Sequence, residues 1–242
     1  MRLRGARPYQ PVVSGPGLAA MPSCPTHAEG GLMNLDLLTI KRFTAGLVYP
    51  PVAYARNDLT YLFEILSDKY DYSTLSLMPD GARISHGDNE VVIQPVRTQI
   101  NETISAHFQH TKDRAVQMLE LVARQFNIHT YQVFGVKLIA FQPANGSAAE
   151  FLESRLLSAS PSQLAILGQG RRGTGFRFNL FRDNANYDLR LEPFFNDLSQ
   201  LYIELDVNYQ PPMASLAEMG PRIDKVYSYL LDEVREFLAS LG

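Results

Sequence analysis

From residue 37 onward the chain passes through one succession of patterns and then through it again, and this order limits its fold more than any single motif does. The first pass opens with "LLTIKRFTAGLVYPP", residues 37–51, a β-type run closed by two prolines that cannot continue a ladder. "ARNDLTYLFEILSDKYDY" follows, with Asn57 or Asp58 as N-cap and Leu59, Leu62, Phe63, Leu66 and Tyr70 at the three and four spacings of one helix face. "STLSLM", "ARISH", "NEVVIQPVRTQI" and "ETISAHFQH" read as four strands of a meander, punctuated by the turns Pro79-Asp80-Gly81 and Gly87-Asp88-Asn89. "TKDRAVQMLELVARQF" closes the pass as a helix capped by Thr111.

After Asn127 the order restarts. "HTYQVFGVKLIAFQP" is a strand ended by Pro143, "GSAAEFLESRLL" is a helix, and "QLAILGQG", "GFRFNLF", "YDLRLEPFF" and "SQLYIELDVNYQ" are four further strands. "PRIDKVYSYLLDEVREFLASL" is the last helix, entered at Pro221, with Ile223, Val226, Tyr227, Leu230, Val234, Phe237 and Leu238 on one face. "GLVYPP" parallels "KLIAFQP", "AHFQ" parallels "VNYQ" and "VARQF" parallels "VREFL". Each half has one sheet face to bury and two helices to bury it with. The expected class is therefore α+β: two fused β-α-β4-α pseudo-repeats, residues 36–127 and 128–242, in one compact domain whose antiparallel sheet is continuous and carries its helices on one face.

This element order resembles the duplicated fold of the TATA-box-binding protein. "VVIQPVRTQIN", with a second half entering on an aliphatic strand, is also similar to an uncharacterised, sporadically distributed bacterial family whose chains have two such parts. The first resemblance implies a saddle-shaped sheet; the second implies no activity that can be carried to a residue.

Composition narrows the functional classes. Of 242 residues, 45% are hydrophobic and 19% charged, which suits a globular protein rather than a disordered one. Lys plus Arg number 22 against 25 Asp plus Glu, so a net charge of -3 gives no general attraction to nucleic acid or an anionic membrane. The longest apolar run, "VFGVKLIAF", is interrupted by Lys137 and is too short to span a bilayer. Cys24 is the only cysteine, which excludes multi-cysteine metal motifs and suits a reducing, cytoplasmic setting. Residues 1–35, rich in Pro, Gly and Arg, read as a flexible tail, with Met33 as an alternative start.

The motifs are weighed by context. "GQGRRG" at residues 168–173 fits a dinucleotide loop, but that loop must open a helix, and here an alternating strand follows. The glycines are expected to form a hairpin loop, with Arg171 and Arg172 as anion contacts at its tip. His107 and His110 fall where strand runs into loop and point to opposite faces, so they make no metal pair. Glu204 and Asp206 lie two apart on one face beside Tyr202, the arrangement that could hold a divalent cation, although alternation alone demands polar residues there. No catalytic triad, P-loop or cysteine-histidine pair can be assembled, and no cofactor is expected.

If the apolar positions of the second-half strands face the helices, Arg177, Asn179, Asp188, Arg190, Glu192, Tyr202, Glu204 and Asp206 form the outer face, joined by Arg83, Gln94, Arg97 and Gln99 from the first half. Arg177 and Arg190 are then further anion or nucleic-acid contacts. A mixed surface of this kind fits a non-catalytic interaction or scaffold protein holding a protein partner or a second copy of itself. A saddle-type nucleic-acid module is the alternative, and a divalent-metal enzyme using Glu204 and Asp206 is the weakest reading.

Overall fold

The computed structural model describes residues 33–242 except Ala106, Gln169, Pro211 and Gly242. The tail expected over residues 1–35, including Cys24, therefore lies almost wholly outside the described residues. At the first described positions the Asn34 side chain accepts from the Asp36 amide and starts a short 3-10 turn, Leu35–Leu37.

Among the described residues, nine strands form one antiparallel sheet: β1 Thr39–Val48, β2 Thr74–Met78, β3 Gly81–His86, β4 Asn89–Gln94, β5 Arg97–Thr103, β6 Val133–Pro143, β7 Phe176–Arg182, β8 Ala185–Pro193 and β9 Gln200–Tyr209. The helices are α1 Arg56–Tyr70, α2 Phe108–Gln125, α3 Ala148–Leu156, α4 Pro161–Ala165 and α5 Met219–Tyr229, the last running through a π-turn at Leu230–Val234 into α6 Arg235–Ser240. The class is α+β. No helix among the described residues is long and apolar enough to cross a membrane.

The strand order is β2-β3-β4-β5-β1-β6-β9-β8-β7. Outward from the central β1–β6 pair it reads first, fifth, fourth, third and second strand of the first half on one side. On the other side it reads first, last, second-last and third-last strand of the second half. Two-residue connections, Pro79-Asp80, Gly87-Asp88, Pro95-Val96 and Asp183-Asn184, fix the register of β2–β5 and of β7–β8. Asp183 and Asn184 both adopt left-handed φ, the conformation a hairpin turn matched to strand twist requires.

One face of the sheet is the core. Phe43, Ala45 and Leu47 of β1 stand between Ile100 of β5 and Phe134, Val136 and Leu138 of β6, which in turn pair with Leu205, Val207 and Tyr209 of β9. Alternation along each strand places these residues under the helices: α1 packs on β2 and β3, α2 on β5 and β1, α5 on β6, and α3 on β8. The α1 stripe of Leu59, Leu62 and Leu66 is buried as its spacing requires.

Several local expectations are corrected. "QLAILGQG" is not a strand: Ser160 caps Pro161–Ala165 in a capping box with Gln163, and the chain turns away as α4, so the second half has three strands after its helix rather than four. Accordingly the glycine loop joins α4 to β7 and does not close a hairpin. "NEVVIQPVRTQI" is two strands, because Pro95 offers no amide and folds into the β4–β5 turn. "ETISAHFQH" is the end of β5 and the start of α2, whose N-cap is His107 rather than Thr111, and α1 starts at Ala55 without a side-chain cap, leaving Asn57 and Asp58 inside its first turn. His107 and His110 thus occupy the start of a helix, not a strand.

Candidate functional site

Among the described residues, the opposite face of the sheet carries no helix and displays the other half of every strand's side chains. Register brings Arg83, Glu90, Gln99, Asn101, Thr44, Lys137, Asp206, Glu204, Arg190, Asp188 and Arg177 onto it together with Gln94, Arg97, Tyr202 and Glu192. This is the outer face expected from sequence, and the first-half residues share it with those of the second half.

These side chains form a transverse ladder across eight strands, roughly 34 Å at about 4.8 Å per strand. Arg83 Nε lies 3.4 Å from Glu90 Oε2, and Glu90 Oε1 accepts from Asn101 Nδ2 at 2.8 Å. Asn101 Oδ1 accepts from Thr44 Oγ1 and from Gln99 Nε2, each at 2.8 Å. Across the β1–β6 seam, Thr44 stands opposite Lys137, whose Nζ lies 3.1 Å from Asp206 and 3.4 Å from Glu204. Glu204 also accepts from the Tyr202 hydroxyl at 2.6 Å and lies 3.6 Å from Arg190, while Asn208 donates to Asp206 at 3.0 Å. Arg177 closes the line with a two-pronged bond to Asp188, one prong 2.7 Å long.

Four cations, Arg83, Lys137, Arg177 and Arg190, thus meet four carboxylates, Glu90, Asp188, Glu204 and Asp206. The ladder neutralises itself. Burial alone would raise the Glu204 carboxyl, but the Tyr202 hydroxyl, Lys137 and Arg190 outweigh it and hold the group below the ordinary glutamate range. For Lys137, burial works downward, and the Asp206 and Glu204 carboxylates more than reverse it. Arg177's hydrogen bonds hold the Asp188 carboxyl down.

The ladder is interrupted at its centre. Gly46 of β1 pairs directly with Gly135 of β6, so the face has no side chains there, and a depression of about 310 Å³ opens, bounded by Thr44, Val48, Arg97, Gln99, Lys137, Asp206 and Asn208. A β-carbon built on Gly135 would stand 3.0 Å from Asn208 Oδ1, the end of a movable side chain, so the position tolerates a side chain that would fill the depression.

The sequence-derived site residues take these places. Glu204 and Asp206 share the face as spacing demands, but Lys137 already holds its ammonium between them, where a divalent ion would have to sit. Among the described residues, no group of three or more His, Cys, Asp and Glu side chains is placed to bind a metal. Arg177 and Arg190 are members of the ladder. Arg171 is elsewhere, gripping Glu153 at the α3 surface with a 3.1 Å bond from Nη2 to Oε2 and a 3.2 Å bond to Thr174. Arg172 donates to the Phe195 carbonyl and lies over that ring. Both loop arginines serve to pin the glycine loop to the domain. Lys137, Thr44 and Asn101 had no place in the sequence-derived site; Lys137 was visible only as the charge interrupting an apolar strand.

A second charged cluster lies on the core side. Register puts Glu102 opposite Phe43, and only 3% of it is exposed. It accepts from the Tyr72 hydroxyl at 2.7 Å and lies 3.4 Å from Arg114 Nε without hydrogen-bond geometry, while Arg114 Nη2 donates to the Tyr70 carbonyl at 2.7 Å. Burial pushes Glu102 above the ordinary glutamate range, although Tyr72, Arg114 and His110 pull the other way. The cluster lies beneath α2 and ties it to β5 and to the start of β2.

In comparisons with known proteins, the chain matches no family model and no curated protein.

Proposed function

We propose that this is a non-catalytic interaction protein that holds a protein partner on the open face of its sheet. The observation that carries this reading is the self-neutralised ladder. Its charged groups are fixed by one another before any partner arrives, so a partner meets an ordered polar surface with one depression at its centre and has little ordering cost to meet. A face on which four cations are cancelled by four carboxylates gives a phosphate backbone little net charge to contact. The mirrored strand order supports descent from a duplicated unit, and the seam between its halves is where the depression lies. A cytoplasmic setting fits a chain with a single cysteine.

One observation favours the saddle-type nucleic-acid reading as a second choice. Among the described residues, Arg42 and Arg97 on the first-half side of the face bond to neutral groups, the Asp88 carbonyl and the Gln94 amide, rather than to carboxylates. Native mass spectrometry of the protein purified at low salt from its own host separates the two. The interaction reading expects a co-purifying protein in fixed stoichiometry that persists at about 0.5 M salt and is lost with Gly135→Gln, which fills the depression. An oligonucleotide that leaves as salt rises, and leaves sooner with Arg97→Ala, would replace this reading with the saddle reading.

A further inference from the structure

The two edges of the sheet are unequal. The β2 edge has five residues and ends at Pro79, a short and interrupted strand of the kind that discourages further pairing. The β7 edge has seven residues, "FRFNLFR", with neither proline nor lysine. Its two arginines do not guard it, because both are drawn back into the domain: Arg177 is tied to Asp188 on β8, and Arg182 lies between Asp183 and Glu233 and over the Tyr229 ring. The helix layer thins out here as well. Phe178 meets Phe237 of α6 edge-on at 5.5 Å, but beyond it Leu180 is 43% exposed and Phe181, on the open face, 67% exposed. The segment that the strand order leaves missing beside β7 has coiled away as α4 and the turn that follows it, where Ile166 and Leu167 are exposed at 83% and 79%.

We propose that the β7 edge is the contact between two copies of this chain, joined antiparallel about a two-fold axis at Asn179 so that the two sheets become one. The strand is complementary to itself in that register, which pairs all seven of its residues. Phe178 comes opposite Leu180 of the second copy on the helix-covered face, and Leu180 opposite its Phe178, covering the apolar surface that α6 leaves open. Arg177 comes opposite Phe181 on the open face, and Phe176 opposite Arg182 on the other. No charge faces a like charge, and each arginine faces an aromatic ring, pairings that favour cross-strand association. At the axis two neutral Asn179 side chains meet. This deepens the interaction reading by naming a second copy as one partner. It needs no other protein, so its failure leaves the open-face partner untouched, and failure of the open-face reading leaves this contact untouched.

The test uses the full chain with Cys24→Ser, which removes its only cysteine. Sedimentation at tens of micromolar is expected to give twice the single-chain mass. Residues facing each other across an antiparallel ladder have Cα atoms about 4.5–5.5 Å apart, within disulfide reach, so Asn179→Cys is expected to form a covalent dimer under mild oxidation. Ser76→Cys, exposed at the middle of the β2 edge, is expected to stay uncrosslinked. Asn179→Lys sets two ammonium groups face to face while leaving each copy's fold intact, and is expected to return the mass to one chain with an unchanged circular dichroism spectrum and a melting temperature that no longer rises with protein concentration. A single-chain mass for the parent at all concentrations would overturn the proposal. So would a dimer, or a mixture of larger oligomers, that survives Asn179→Lys and does not crosslink at residue 179.

Discussion

Replacing Tyr72 by Phe removes one oxygen atom from a place where the carboxylate beneath it depends on that oxygen. The ring stays, 1% exposed, and so does the contact of Arg114 with its face. What is lost is the 2.7 Å bond to Glu102, which has no solvent to replace it. A hydrogen bond to a charged group contributes about 1.5–3 kcal/mol and one to a neutral group about 0.5–1.5 kcal/mol. The cost of Tyr72→Phe should therefore be about 2 kcal/mol when Glu102 is ionised and about 1 kcal/mol when it is protonated. The sign follows from burial. Because the folded-state pKa of Glu102 lies above its unfolded value, stability linked to its proton is fully present below the unfolded pKa and is lost as pH rises through the folded one. Without Tyr72, which pulls that pKa down, the folded value rises further, and the penalty for ionising the group grows. Urea unfolding of both proteins at pH 8 and pH 4.5 should show the cost of the substitution shrinking by roughly half at the lower pH. At neutral pH the melting temperature should fall by about 4–8 °C, given about 2–4 °C per kcal/mol for a chain of this size. In a Glu102→Gln background the pH dependence of the cost should vanish. A cost that is equal at both pH values, or that grows on acidification, would refute the claim that this hydrogen bond supports a buried carboxylate.

Titration of the glutamates by carboxyl carbon NMR should split them: Glu204 below the ordinary range because Tyr202, Lys137 and Arg190 support its charge, and Glu102 above it. The linkage has the opposite sign for Glu204, whose contribution is present above its unfolded pKa and fades as pH falls through the folded one, so Lys137→Met should raise the Glu204 value. A Glu204 value unmoved by that substitution would remove Lys137 from the ladder. Gly81→Ala should destabilise by about 3 kcal/mol or more, because the added carbon would stand 2.0 Å from the Ile93 carbonyl oxygen, which belongs to the paired strand and cannot step aside; a cost under about 1 kcal/mol by urea unfolding would show that β3 and β4 can separate there.

Sequence alone determined the class of fold, the existence of the opening strand and of both helices in the first half, and which residues of most elements turn inward, because period 3.6 and period 2 are local properties of neighbouring residues. Leu59, Leu62 and Leu66 on α1, and the alternation from Leu201 to Tyr209 on β9, needed no knowledge of what lay opposite. The same local information put Glu204 and Asp206 on one face beside Tyr202. It went wrong where two local signals competed. "QLAIL" has a strand's apolar density, but Ser160 and Pro161 before it, with Gln163 as its own first residue, spell a helix start, a cue that the apolar density masks. "VVIQPVR" has a proline that could mark either an irregular strand or a turn, and only pairing of Gln94 with Arg97 decides for the turn. What tertiary structure alone decided is who faces whom. Glu102 is buried because its strand is in register with Phe43, fifty-nine residues earlier in the chain. Lys137 lies between Glu204 and Asp206 because β6 is paired to β9, and Gly46 opposes Gly135 because the two halves meet edge to edge. Such contacts are set by strand register between distant segments, which no run of neighbouring residues encodes, and in this protein register is what turns scattered charges into a ladder.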